Sequence, residues 1–222
     1  MLDMQVRVGG IFSGMKSYLD PGDVLSGLGD KVIAGLARAV ARTREDLAAY
    51  RESHLSWVSD SSERGLANWI HDRLWRHVCA EFDGHSGIGL SDREPTREIT
   101  VGVNYRLRVK RHRLDGKVSS YATQTALEFY AQGVQEAFPG LEEVRLIAGY
   151  EWDADARSMG DAVLSLRDGE EDVIWLITLP EADTGMAGVP ARPIRPTEPE
   201  PALPIIDLPA TGSGDTKGEV GT

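Results

Sequence analysis

The sequence predicts an α+β fold: two or three helices packed on a mostly antiparallel sheet of about four strands, followed by a disordered C-terminal tail. Three observations carry this expectation. Residues 99–113 alternate apolar and polar in strict period two, with Ile99, Val101, Val103, Tyr105, Leu107 and Val109 on one side, as a half-buried strand does. Residues 30–51 and 62–82 repeat apolar side chains near helical spacing. Asp168-Gly169 falls between two strand-like runs and reads as a reverse turn.

Residues 1–29 are rich in glycine, punctuated by Pro21-Gly22, and are expected to be irregular, with a short strand near Val6, Val8 and Phe12. Asp30 is a candidate N-cap for a first helix to about Arg51, whose inner stripe runs through Ile33, Leu36, Val40 and Leu47. Arg38, Arg42, Arg44 and Arg51 lie mostly off that stripe, as a solvated face would place them. Ser61 or Ser62 can cap a second helix to about Phe82, with Leu66, Ile70, Leu74, Val78 and Phe82 along one flank. Residues 84–95 read as a charged, glycine-rich loop, and residues 99–113 as one continuous strand ended by Asp115-Gly116. A third helix is expected over 123–138, stopped by Pro139-Gly140, then strands over 144–152, 161–167 and 173–179. The last is apolar on both faces, as an interior strand is. The expected organisation is thus an irregular segment over 1–29, one domain over 30–180 and a tail over 181–222.

The tail holds seven of the eleven prolines among Gly, Glu, Thr and Ala. Such a composition buries too little apolar surface to offset chain entropy. Ile205, Ile206 and Leu208 form an apolar island within it, read as a docking segment for a protein partner. The formal net charge of −11 argues against broad coating of nucleic acid. With Cys79 the sole cysteine and no signal peptide or apolar run long enough to span a bilayer, a reducing, cytoplasmic setting without membrane contact is expected.

Against that acidic background, Arg106, Arg108, Lys110, Arg111 and Arg113 crowd one stretch. Alternate strand positions lie about 7 Å apart, so Arg106, Arg108 and Lys110 would line up near the phosphate repeat of a nucleic-acid strand. Asn104 and His112 extend the row as hydrogen-bond donors, Arg113 completes the binding set, and Arg111, in the apolar register, is expected to turn outward at the strand end. The competing readings are cross-strand neutralisation by acids such as Glu151 or Asp161 and protection of an exposed sheet edge.

A second candidate is metal-ligating: His71, Asp72, His77 and His85, with His54 and Asp83 nearby in sequence. The adjacent His71-Asp72 pair resembles the helix-borne pair of HD-type phosphohydrolases. His71 and His77, however, project about 120° apart on one helix. His77 shares a wheel sector with Leu66 and Ile70, as a hydrogen-bonded core histidine would. Serine-nucleophile, phosphate-loop and paired-cysteine motifs are missing from the sequence. No cofactor is implied.

The runs at residues 69–75, 92–98 and 140–145 resemble uncharacterised actinobacterial proteins of the kind encoded beside helix-turn-helix regulators or small metallopeptidases. The resemblance covers roughly residues 55–180 and implies a regulatory or mobile-element setting. The sequence therefore predicts a non-enzymatic binding or regulatory protein that meets a polyanion (nucleic acid) or an acidic protein surface. The alternatives are a metal-dependent hydrolase, phosphohydrolase or nuclease-like, using the His71-Asp72 region, and a structural or assembly component.

Overall fold

The computed structural model describes residues 18–93, 96–118, 123–130, 143–169 and 172–180, and the backbone of 191–192. Among these, five helices and seven strands form an α+β domain: α1 (Pro21–Leu28), α2 (Asp30–Ser53), α3 (Leu55–Asp60), α4 (Glu63–Phe82), β1 (Ile88–Arg93), β2 (Thr96–Val101), β3 (Tyr105–Arg113), α5 (Gln124–Tyr130), β4 (Val144–Asp153), β5 (Ser158–Arg167), β6 (Val173–Thr178) and β7 (Ala191–Arg192). The sheet runs β1-β2-β3-β4-β5-β6-β7 in sequence order. Every pairing is antiparallel except β3 with β4, which is parallel. A parallel pair needs a crossover, and the connection between β3 and β4 carries α5.

The helices start where the residue chemistry dictates. Asp20 caps α1 by accepting from Gly22 N, with Pro21 at the first helical position. Ser62 caps α4 by accepting from Gly65 N. Gly29, at φ 79°, separates α1 from α2. α2 and α4 pack against each other and lie on one face of the sheet, α4 over β1 and β3, α2 over β4 and β5. There Ile33, Leu47, Ile70 and Leu74 meet Ile99, Leu107, Leu146 and Leu164 in one core. Each such fully buried side chain contributes about 1.5–3 kcal/mol. On the opposite face, Ala126, Phe129 and Tyr130 of α5 join Val118 and Ile147 in a separate cluster.

Four expectations change. The run 99–113 is a hairpin, because the chain turns at 102–104 with Gly102 at φ 57°. Val101 then faces Tyr105 across the turn, and Val103 stands 80% exposed at its tip. Residues 84–95 contain β1, and the stretch expected to be irregular contains α1, with Val24 and Leu28 in the core. The arginines of α2 are engaged: Arg38 and Arg42 clamp Glu81 of α4, and Arg44 meets Asp161. The expected strand near Val6, the end of the third helix and the tail lie outside the described residues, apart from Ala191–Arg192, which pair with β6.

Gly149 shows how tightly the parallel pair is set. A Cβ there would lie 1.8 Å from the Lys110 carbonyl oxygen of β3. Gly149→Ala should therefore cost about 1–3 kcal/mol, read as a lower urea midpoint; an unchanged midpoint would show that the strands can part without loss.

Candidate functional site

The cation row sits on the face of β3 that α5 covers. Arg108, 9% exposed, donates through Nε to Glu98 Oε1 at 2.7 Å and through Nη1 to the Thr125 carbonyl. Its guanidinium lies 3.9 Å over the Phe129 ring. Glu98 stands directly opposite Arg108 across the β2–β3 hairpin, the position from which a carboxylate neutralises a strand cation. Arg106 pairs with Glu143 at 2.9 Å, and Glu143 also accepts from Arg145 Nε at 2.8 Å. Cross-strand neutralisation thus holds, but by Glu98 and Glu143 rather than Glu151 or Asp161.

His112 is fully buried, and its Nε2 shares a hydrogen bond of 3.0 Å with Ser165 Oγ of β5. Burial, with Arg167 nearby, lowers its pKa to about 3, the Lys110 backbone pulling weakly the other way. It is therefore a neutral interior group, not a surface donor. Asn104 is half-buried at the hairpin, where its carbonyl accepts from Val144 N and starts the β3–β4 pairing.

Two members of the row remain. Arg113 is exposed, with Asp115 as a distant companion at 3.9 Å. Lys110 is half-buried between Arg108 and His112, beside side-chain-free Gly149. Among the described residues it meets no carboxylate within ion-pair distance, and burial and then Arg108 lower its pKa. Arg111, like Arg113, belongs to the other register, but it does not turn outward. It reaches over the Trp152 ring at 5.7 Å, with its Nη1 3.8 Å from Glu63.

The histidine set is not brought together, and among the described residues no three His, Cys, Asp or Glu side chains are placed to share a metal ion. His77 bonds through Nε2 to Asp46 Oδ2 of α2 at 2.7 Å, beside Arg73, which also donates to Asp46. It is a hydrogen-bonded residue of the helix interface, not of the core. Burial alone would raise the Asp46 pKa, but the bonds from His77 and Arg73 outweigh it and lower it. Asp72 pairs with Arg97 of β2 at 2.8 Å, which also meets Asp92. His85 Nδ1 lies 3.1 Å from Lys31 Nζ. His71 is half-buried, and burial together with Arg97 and Lys110 lowers its pKa to about 4. Cys79 packs against the core, and burial raises its thiol pKa, which suits packing rather than nucleophilic attack.

Sequence reasoning missed two features of the helical side. Trp69, Tyr50, His54 and Trp57 form a continuous row of rings, with centroids 4.7, 5.6 and 4.5 Å apart, ending at exposed Trp57 and Leu55. Tyr50 and His54 share the (i, i+4) spacing of one helix face, which was readable. The contact with Trp69 of α4 was not. The second feature is a group of arginines at the start of α4, described below.

Comparison of the chain with family models, with curated proteins and with solved structures finds no match. No helix among the described residues is long and apolar enough to cross a membrane.

His112 makes stability depend on pH. Its folded pKa lies below the unfolded value near 6.5, so the unfolded chain binds the extra proton at intermediate pH. Stability should be constant above about pH 6.5 and fall toward pH 4, by up to about 1.4 kcal/mol per pH unit from this group; His71 acts in the same direction. Urea midpoints at pH 7 and pH 5 check this, and His112→Gln should flatten part of the slope.

Proposed function

We propose that the protein acts by binding, as a non-enzymatic regulatory protein of the cytoplasm whose ligand is a polyanion such as nucleic acid or an acidic protein surface. The observation that supports this reading most directly is Lys110. A cation half removed from water with no carboxylate beside it among the described residues is one whose counter-charge can come from another molecule. Exposed Arg113 extends the same strand toward solvent. The site is smaller than the row that the sequence suggests, because Arg108 and His112 serve the interior and Arg106 is paired with Glu143. A regulatory setting accords with the resemblance described above, and partner docking by Ile205, Ile206 and Leu208 belongs to the same proposal. The metal-dependent alternative gains no support from the separated positions of His71, Asp72, His77 and His85.

The test is retention of single- and double-stranded oligonucleotides, and of polyglutamate, by the full chain as salt is raised. Changing Lys110 and Arg113 together to Glu should weaken binding about tenfold or more. It should also lower the slope of log affinity against log salt by about two. Binding that ignores salt, or is unaffected by the double change, overturns the reading.

A further inference from the structure

The first turn of α4 gathers positive groups from three separate parts of the chain. Arg157, in the β4–β5 hairpin, donates through Nη2 to the Ser61 carbonyl at 3.0 Å and lies 3.2 Å through Nε from Glu63. Its own carbonyl accepts from Arg51 of α2. Arg157 is the sole non-glycine with positive φ among the described residues, at 49°. That backbone conformation is uncommon for a side chain of its size, and these contacts hold it. Arg111 of β3 approaches the same Glu63 at 3.8 Å. Arg51, Arg111 and Arg157 thus surround the positive end of a 20-residue helix, where Glu63 is, among the described residues, the one carboxylate that meets two of them.

A separate observation points to a ligand. Trp152 is 2% exposed, and its indole Nε1, fully screened from water, has no acceptor among the described residues. Arg111, whose Cζ lies 5.7 Å from the centre of that ring, likewise has a buried Nη1 without a hydrogen bond, since Glu63 is too distant to accept one. Two neighbouring buried donors, one charged, cost free energy unless something accepts from them. An acceptor serving both must carry more than one lone-pair site and is favoured by negative charge.

We propose that Arg111, Trp152 and the first turn of α4 form a binding site for a tetrahedral oxyanion of the phosphate class. Its oxygens accept from Arg111 Nη1 and Trp152 Nε1, and Arg157 and Arg51 supply the surrounding positive field. Glu63, half-exposed on the helix's first turn, competes for Arg111 and swings toward solvent when the anion enters. The site is on the face of the sheet opposite to Lys110 and does not depend on the binding role proposed for that residue.

The test titrates inorganic phosphate into the full chain and follows the indole N–H resonance that disappears in Trp152→Phe, with chloride at matched ionic strength as control. Phosphate should move that resonance saturably and chloride should not. Arg111→Gln should weaken the response about ten- to hundredfold, the worth of a charge-assisted hydrogen bond, and Glu63→Gln should tighten it about threefold or more by removing the competing carboxylate. Should Arg111→Gln fail to fold, the comparison of native protein with Glu63→Gln decides alone. A resonance that phosphate leaves unmoved in both, or that chloride moves equally, overturns the proposal.

Discussion

A charged strand covered on both faces must bring its counter-charges with it. β3 lies under α4 on one side and α5 on the other, yet its sequence offers five arginines and lysines. Removing one unpaired guanidinium from water costs several kcal/mol. The fold meets that constraint residue by residue, with Glu98 across the hairpin for Arg108, Glu143 at the start of β4 for Arg106 and Phe129 beneath the Arg108 guanidinium. Much of the architecture around β3 follows. The hairpin partner has to be β2, which carries Glu98. The crossover has to return alongside β3, so that Glu143 arrives beside Arg106.

The same logic separates structural polar groups from those open to a ligand. His112 bonds Ser165 through Nε2 inside the sheet, although its buried Nδ1 has no hydrogen-bond partner among the described residues, and Asp46, His77 and Arg73 bond one another between α2 and α4. Lys110 lacks such a partner on one face of the sheet, and Arg111 and Trp152 keep unused donors on the other. Adjacent residues of one strand thus lead to two different surfaces, because successive side chains point to opposite faces.

Long helices were legible in the sequence and short elements were not. α2 and α4 each repeat an apolar stripe over many turns, and Ser62 marks the start of α4. α3 has six residues, too few for periodicity to emerge, and β1 has only Ile88 and Leu90 to set against Gly89 and Ser91. The cap of α1 was present as Asp20-Pro21, but the surrounding glycines argued for a loop. The break within residues 99–113 was hidden for a geometric reason. Val101 and Tyr105 face each other across three loop residues, so odd positions remain on the core face before and after the turn. Alternation therefore passes through the hairpin unbroken. For the candidate site, the cations were readable but their carboxylates were not. Glu98 becomes opposite to Arg108 only once the hairpin is known, and Glu63 reaches Arg111 only through the packing of α4.

The single parallel pairing has a consequence for how the chain reaches this structure. β1, β2 and β3 form one meander, and β4, β5 and β6 another, each closed by short turns between neighbours. Joining them requires closing the long connection from β3 to β4, and the entropy lost grows with the length of chain enclosed. The ordering cost of the sheet is therefore concentrated in one event. The two meanders are local and quick to assemble, and their junction, spanned by α2 with α4 on one side and α5 on the other, is where the search for the native arrangement is slowest.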